Sequence, residues 1–177
     1  DSDQALYDAF TEETGIKVNE LQGESDQLIQ RIKREGDASP ADVMVTVDAG
    51  RLWRAEQEGI FDSVESDVLS ERLPDSMRHP EGKWFGFSQR ARVIFYNPEK
   101  IDPADISTYE DLADPQFKGK VCIRSSNNIY NQSLLASMIS HHGEEEAEKW
   151  AQGVVDNLAR DPEGGDTDQI RGVASGE

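Results

Sequence analysis

Residues 118–138 read KGKVCIRSSNNIYNQSLLASM, and the fold class follows from how this stretch divides. Residues 120–124 are a short run, apolar at Val121, Cys122 and Ile123 and β-branched at two of those positions, which suits a buried strand. Ser125, Ser126, Asn127 and Asn128 are small polar side chains, each able to cap a helix. After Ile129, the apolar residues Leu134, Leu135, Met138 and Ile139 fall at the spacing of one helix face. The stretch therefore reads strand, polar turn, helix. At such a junction in an open α/β sheet, unpaired backbone N–H groups point at whatever occupies the crevice, and ligands bind there. Tyr130 sits in the first turn of the helix, with its phenol directed toward the same crevice.

The same alternation extends outward. Ser2 followed by Ala5, Leu6, Ala9 and Phe10 predicts a capped amphipathic helix ending at Gly15. Residues 16–21 alternate as a strand does. A second helix lies between Gly23 and Gly36, with Leu28, Ile29 and Ile32 inward. Residues 41–47 (ADVMVTV) form the near-continuous apolar run of a buried parallel strand, followed by a helix that stops at Gly59. Residues 62–79 are polar and acidic, and residues 90–97 read as a long strand able to carry the chain from one lobe to another. A short capped helix is expected over residues 107–112. Strongly patterned helices follow over residues 144–158 and 166–174. Repeated β-α-β-α units favour a parallel sheet covered by helices. The division expected is a first α/β lobe over residues 1–89, a hinge crossing over 90–97 and a second lobe over 98–177. The first helix has no preceding strand and the last no following one, so the chain reads as a fragment of something longer.

With 36 acidic and 18 basic residues, the net charge is −18, a surface that phosphate backbones and anionic membranes repel. Nucleic acid is thereby disfavoured as a partner. The acidity also reads as a solvated, self-repelling surface, or as one suited to high salt. Cys122 is the single cysteine, so no intrachain disulfide and no multi-cysteine metal site can form. No apolar run is long enough for membrane insertion, and no signal peptide is visible.

Several stretches together resemble one family: residues 9–16 (AFTEETGI), 41–52 (ADVMVTVDAGRL), 90–96 (RARVIFY), 107–112 (STYEDL) and 121–132 (VCIRSSNNIYNQ). The chain is similar to the periplasmic ferric-iron-binding proteins of ABC transporters, in the branch that includes cyanobacterial iron-uptake proteins. RSSNNIYNQ is the most specific part of the likeness. The resemblance implies a two-lobed α/β protein of the type II binding-protein fold, monomeric and extracytoplasmic, with no catalytic step. It implies closure on Fe3+, with carbonate or another small anion as a companion, and delivery to an ABC permease. It also implies tyrosine phenolates as the metal ligands, one at Tyr130. A His-Tyr pair would fall immediately before Asp1 and a Tyr-Tyr pair shortly beyond Glu177, outside this sequence.

The residues carry their own readings. A free tyrosine titrates near pH ~10, but a bound cation favours the phenolate, and tyrosinate is an established iron ligand. Without a metal, Tyr130 reads as a packed helix-start residue bonded to the Ser-Asn turn. Arg90 either supports a phenolate or bound anion, or pairs with an Asp or Glu; Arg92 reads as such a structural pair. Asp48 either lines the crevice or caps the helix that begins near Gly50, with capping favoured. Ser125, Ser126 and Asn127 could hold a small anion, cap the helix, or both. His141 and His142 look metal-like beside Glu144, Glu145 and Glu146, but adjacent helical residues point apart. Trp53, Trp84 and Trp150 read as packing residues.

Rival functions differ in what they need. A binding protein for a polyamine, thiamine or an oxyanion needs an acidic and aromatic box or an anion nest. A metal-dependent hydrolase would use His141, His142 and nearby carboxylates. An acidic interaction module would have no crevice near Tyr130.

Overall fold

The computed structural model describes residues 3–177, and these divide into two compact units, residues 3–44 and 45–177. In the first, α1 (Gln4–Thr14) ends as the sequence predicts, on Gly15 in the left-handed region at φ 75°, whose N–H bonds the Thr11 carbonyl. The expected cap Ser2 lies outside the described residues; Asp3 occupies the cap position. The apolar face of α1 stays uncovered, with Leu6 69% exposed. Helix α2 (Ser25–Glu35) carries Asp26 in its first turn and Lys33 and Arg34 in its last, each sign facing the dipole end that favours it. It buries Ile29.

The second unit opens on α3 (Ala49–Gln57), which fully buries Ala55. Helix α4 (Asp67–Arg72) is capped by the Ser66 hydroxyl. A turn follows in which His79 N–H bonds the Trp84 carbonyl and Gly86 N–H bonds that of Met77. Beneath it, Glu56 accepts from the Trp84 indole and pairs with His79 and Lys83. The helix expected over residues 107–112 is instead a 3-10 turn, Glu110–Ala113. The Asp111 carboxylate folds back to accept the Ser107 and Thr108 N–H groups, so those residues lie outside the helix rather than starting it.

Helices α5 (Ile129–His142), α6 (Glu144–Asp156) and α7 (Asp166–Ser175) complete the unit. Helix α6 packs on both α5 and the Glu110–Ala113 turn. The core gathers Phe117, Val121 and Val154, against which Ile101, Ile106, Leu112, Ala113, Trp150 and Leu158 pack. Asn157 is the buried polar residue among them, 2% exposed. Its side-chain amide donates to the carbonyls of Leu112 (3.0 Å) and Asp114 (2.7 Å). Its own carbonyl accepts from Lys120 and Val121 N–H.

The four stretches read as strands form no ladder among the described residues. Pairing is confined to isolated bridges, Arg78 with Phe85 antiparallel and Val121 with Leu158 parallel. Apolar alternation marks a face that can be buried, but a ladder also needs a neighbour. Val43 and Val45 are 81% and 85% exposed, and Val93 and Phe95 are also exposed. Trp53, read as a packing residue, is 61% exposed; Trp84 and Trp150 are anchored through their indole N–H groups. No described helix is long and apolar enough to cross a membrane.

Candidate functional site

The polar turn before α5 does what its composition predicts. Asn128 adopts the extended cap conformation and its side-chain oxygen accepts the Tyr130 N–H at 2.9 Å. Ser125 carbonyl accepts the Asn128 N–H, and Ser125 N–H bonds the Gly164 carbonyl. Ser126 and Asn127 are exposed at the mouth of this turn. Tyr130 is half-buried, and its hydroxyl accepts from Arg90 Nη2 at 2.8 Å. The arginine also lies over the phenol ring, 5.4 Å from its centroid. Arg90 thus contacts the Tyr130 phenol through both its hydroxyl and its ring.

Arg124, the last residue before the turn, was not singled out by sequence. Its guanidinium lies 5.1 Å from the Tyr130 ring centroid and is fixed by Asp166 at 2.6 Å. Asp166 opens α7, so that helix reaches the tyrosine through one ion pair. Asn131 ties the same corner together: its oxygen accepts from Arg92 at 2.8 Å, and its nitrogen donates to the Arg124 and Ser125 carbonyls. Arg92 also approaches Asp166 at 3.8 Å, in line with the structural pairing expected of it. One guanidinium therefore bonds the Tyr130 hydroxyl and a second lies against its ring.

Asp48 caps α3: its side-chain oxygen accepts the Gly50 N–H at 2.8 Å. It also accepts the Ser133 hydroxyl at 2.6 Å, joining α3 to α5. Arg54 adds a second tie, donating to Gln132 at 2.6 Å. Asp48 thus has the capping role favoured from sequence, together with a tertiary bond that sequence did not suggest.

The chain has four tyrosines, and Tyr109 is engaged differently from Tyr130. Its hydroxyl donates to the Arg92 carbonyl, and burial pushes the phenol up from its ordinary value, with Arg92 opposing. A half-buried phenol already committed as a donor is poorly suited to a cation. Tyr7 is likewise pushed up, by burial first and then by Glu20 and Asp3. Cys122, on the run leading to Arg124, has its thiol pushed up by burial and by Glu177, against Arg160, and so stays a protonated packing group.

His141 and His142 do not converge. His141 Nδ1 meets the Ser137 carbonyl at 2.8 Å, and His142 Nε2 meets Glu110 at 2.9 Å. No group of three or more His, Cys, Asp or Glu side chains able to hold a metal occurs among the described residues. The hydrolase reading loses its site on this geometry.

Residues 38–172 match the family described as bacterial extracellular solute-binding protein. Iron uptake protein A1 of Synechocystis sp. is 57% identical over 176 residues, spanning 99% of this chain and 49% of that protein. Among solved structures, a Trichodesmium protein (IdiA, FutA) in complex with iron and citrate ligands superposes with a TM-score of 0.95 at 60% identity, covering 99% of this chain and 56% of that one. The ferric binding protein from Campylobacter jejuni gives a TM-score of 0.90 at 42% identity, with 99% and 56% coverage. The fold is the α/β type II binding-protein fold expected from the sequence, and the chain spans about half the length of the curated relatives it matches.

Proposed function

Because the chain belongs to the bacterial extracellular solute-binding protein family, we propose that the protein carrying it captures ferric iron through tyrosine phenolates and delivers it to an ABC permease. The observation that carries this reading is Tyr130. Its hydroxyl stands in the first turn of α5, at the helix end that favours negative charge, and accepts from Arg90 at 2.8 Å. Ferric ion is small and highly charged and prefers anionic oxygen; when it binds, it takes the phenolate and displaces the proton. Arg90 and Arg124 then offset the charge left on the ring. The named relatives, an iron uptake protein and a ferric binding protein, support the same cargo.

In this reading Tyr130 is one ligand of several, and the others come from outside residues 1–177. A small anion, carbonate or a carboxylate such as the citrate bound by the Trichodesmium relative, meets the turn formed by Ser125, Ser126 and Asn127. Residues 1–89 and 98–177 serve as the two lobes and 90–97 as the crossing. Capture is a population shift in which the ion's bonds to both lobes favour the closed state. The protein acts outside the cytoplasmic membrane, as a monomer and not as an enzyme.

The test is spectroscopic. The iron-loaded protein should show a phenolate-to-iron charge-transfer band in the visible, and Tyr130→Phe should bleach or shift it and weaken iron binding. An unchanged band and affinity in Tyr130→Phe would remove Tyr130 from the ligand set.

A further inference from the structure

We infer that Asp48 and Ser133 form a latch that sets the direction of the Tyr130 phenol, making them positioning residues for the iron site proposed above. The first observation is conformational. Asp48 has φ 77° and ψ 130°, and it is the one non-glycine residue with positive φ among the described residues. An L-residue there is strained and persists only where the surroundings over-determine it. Helix capping alone does not demand it, since cap residues ordinarily sit in the extended region. Ser66 and Asn128 do so in this chain.

The second observation shows what does the over-determining. One oxygen, Oδ1 of Asp48, takes both the Gly50 N–H at 2.8 Å and the Ser133 hydroxyl at 2.6 Å. The strained backbone is what turns that oxygen toward α5 while it still caps α3. Gly50 completes the fit. A Cβ there would stand 3.1 Å from Asp48 Oδ1, 3.1 Å from the Ile129 side chain and 3.2 Å from the Ser133 hydroxyl. Two points of α5, Ile129 and Ser133, are therefore held against the first turn of α3. They are four residues apart and share one face of the helix.

In the lobe division proposed above, α3 belongs to residues 1–89 and α5 to residues 98–177, so the latch acts in the closed state, where fixing one face of α5 at two points fixes rotation about its axis. Tyr130 follows Ile129 by one residue, so its side chain leaves the helix about 100° further round. The phenol oxygen lies far outside the backbone cylinder of radius ~2.3 Å. A small rotation of α5 therefore moves it several times further than it moves the backbone. The latch adds to the ties made by Arg54 with Gln132 and by Asn131 with Arg92 and the Arg124 carbonyl in holding the hydroxyl at one place relative to Arg90.

The test uses Ser133→Ala, which removes the latch and leaves the α3 cap intact, in the protein carrying the whole chain, with Fe3+ as probe and citrate as competitor. Affinity should fall by about tenfold, the scale of a lost charge-assisted hydrogen bond. The charge-transfer band should also shift or lose intensity per bound iron. Asp48→Gly should lose affinity similarly while keeping or gaining thermal stability, because it relieves the strain. Asp48→Asn, which keeps Oδ1 as an acceptor, should retain more affinity than Asp48→Ala. If Ser133→Ala lowers only the melting temperature and leaves band and affinity at parental values, the latch is structural and the inference fails. It also fails if Asp48→Asn is as damaged as Asp48→Ala. The inference rests on the iron reading, and the two fail separately: loss of that reading would show as no effect of Tyr130→Phe, whatever Ser133→Ala does.

Discussion

Replacing Asn157 by alanine should cost about 2–4 kcal/mol, and the figure can be assembled from its contacts. Asn157 Nδ2 is the donor for two carbonyls, Leu112 at 3.0 Å and Asp114 at 2.7 Å. The Asp114 carbonyl also receives the Phe117 N–H at 3.0 Å, so it keeps a partner; its lost bond is worth about 0.5–1.5 kcal/mol. The Leu112 carbonyl relies on Asn157, and an orphaned buried acceptor costs about 1–3 kcal/mol. The backbone bonds from Lys120 and Val121 to the residue 157 carbonyl survive the change, so the loss should not grow to that of a disordered core. Urea titration should show a lower midpoint at unchanged slope.

A second substitution at the same site separates donor loss from volume loss. Asn157→Asp keeps the shape but sets carboxylate oxygens against carbonyl oxygens, so near pH 7 it should be less stable than Asn157→Ala. Burial beside those dipoles raises the folded-state pKa of that carboxyl above its unfolded value. The folded state then binds the extra proton, and the deficit should shrink as pH falls toward the unfolded value near ~4. An Asn157→Ala loss below about 0.5 kcal/mol, or an Asn157→Asp variant as stable as the parent, would refute the claim that two carbonyls depend on this amide.

The remaining expectations concern packing and pH. Gly153→Ala would place a Cβ 2.7 Å from the Ala113 Cβ and 3.0 Å from its carbonyl oxygen. It should destabilise by about 1–3 kcal/mol despite alanine's better helix propensity, and Ala113→Gly in the same chain should recover part of the loss in a double-mutant cycle. The Asp111 carboxyl is held below its ordinary value, chiefly by the Ser107 and Thr108 N–H groups. Its contribution is therefore present above the ordinary aspartate pKa of ~4 and is lost as pH falls below that. Asp111→Asn should flatten this part of an acid titration followed by circular dichroism, and an unchanged acid limb would contradict the assignment.

Helix ends were the most legible part of the sequence, because their signals are local. Gly15, Gly36 and Gly143 each stand just past a helix, and the SSNN run marks the start of α5. The placement of Tyr130 in that first turn followed from the same signals. Legibility stopped where a contact joins residues distant in sequence. Ser133 meets Asp48 across 85 residues and Arg124 meets Asp166 across 42, and neither serine nor arginine carries a periodic pattern that names its partner. Arg124 could have been suspected from its position alone, as the last residue of an apolar run before a polar turn. The strand readings show the converse limit. The apolar run at residues 41–47 records which side chains want cover, but hydrogen-bonded pairing belongs to two segments and cannot be read from one.

Bare valines at positions 43 and 45 have a practical consequence for anyone handling the 177-residue chain alone. Exposed β-branched side chains along an extended segment are a template onto which another chain can zip. The strong negative charge works against such self-assembly by keeping copies apart, and salt weakens that protection. Turbidity that climbs with ionic strength would be the first sign that copies of the chain had begun to supply one another with the neighbour each lacks.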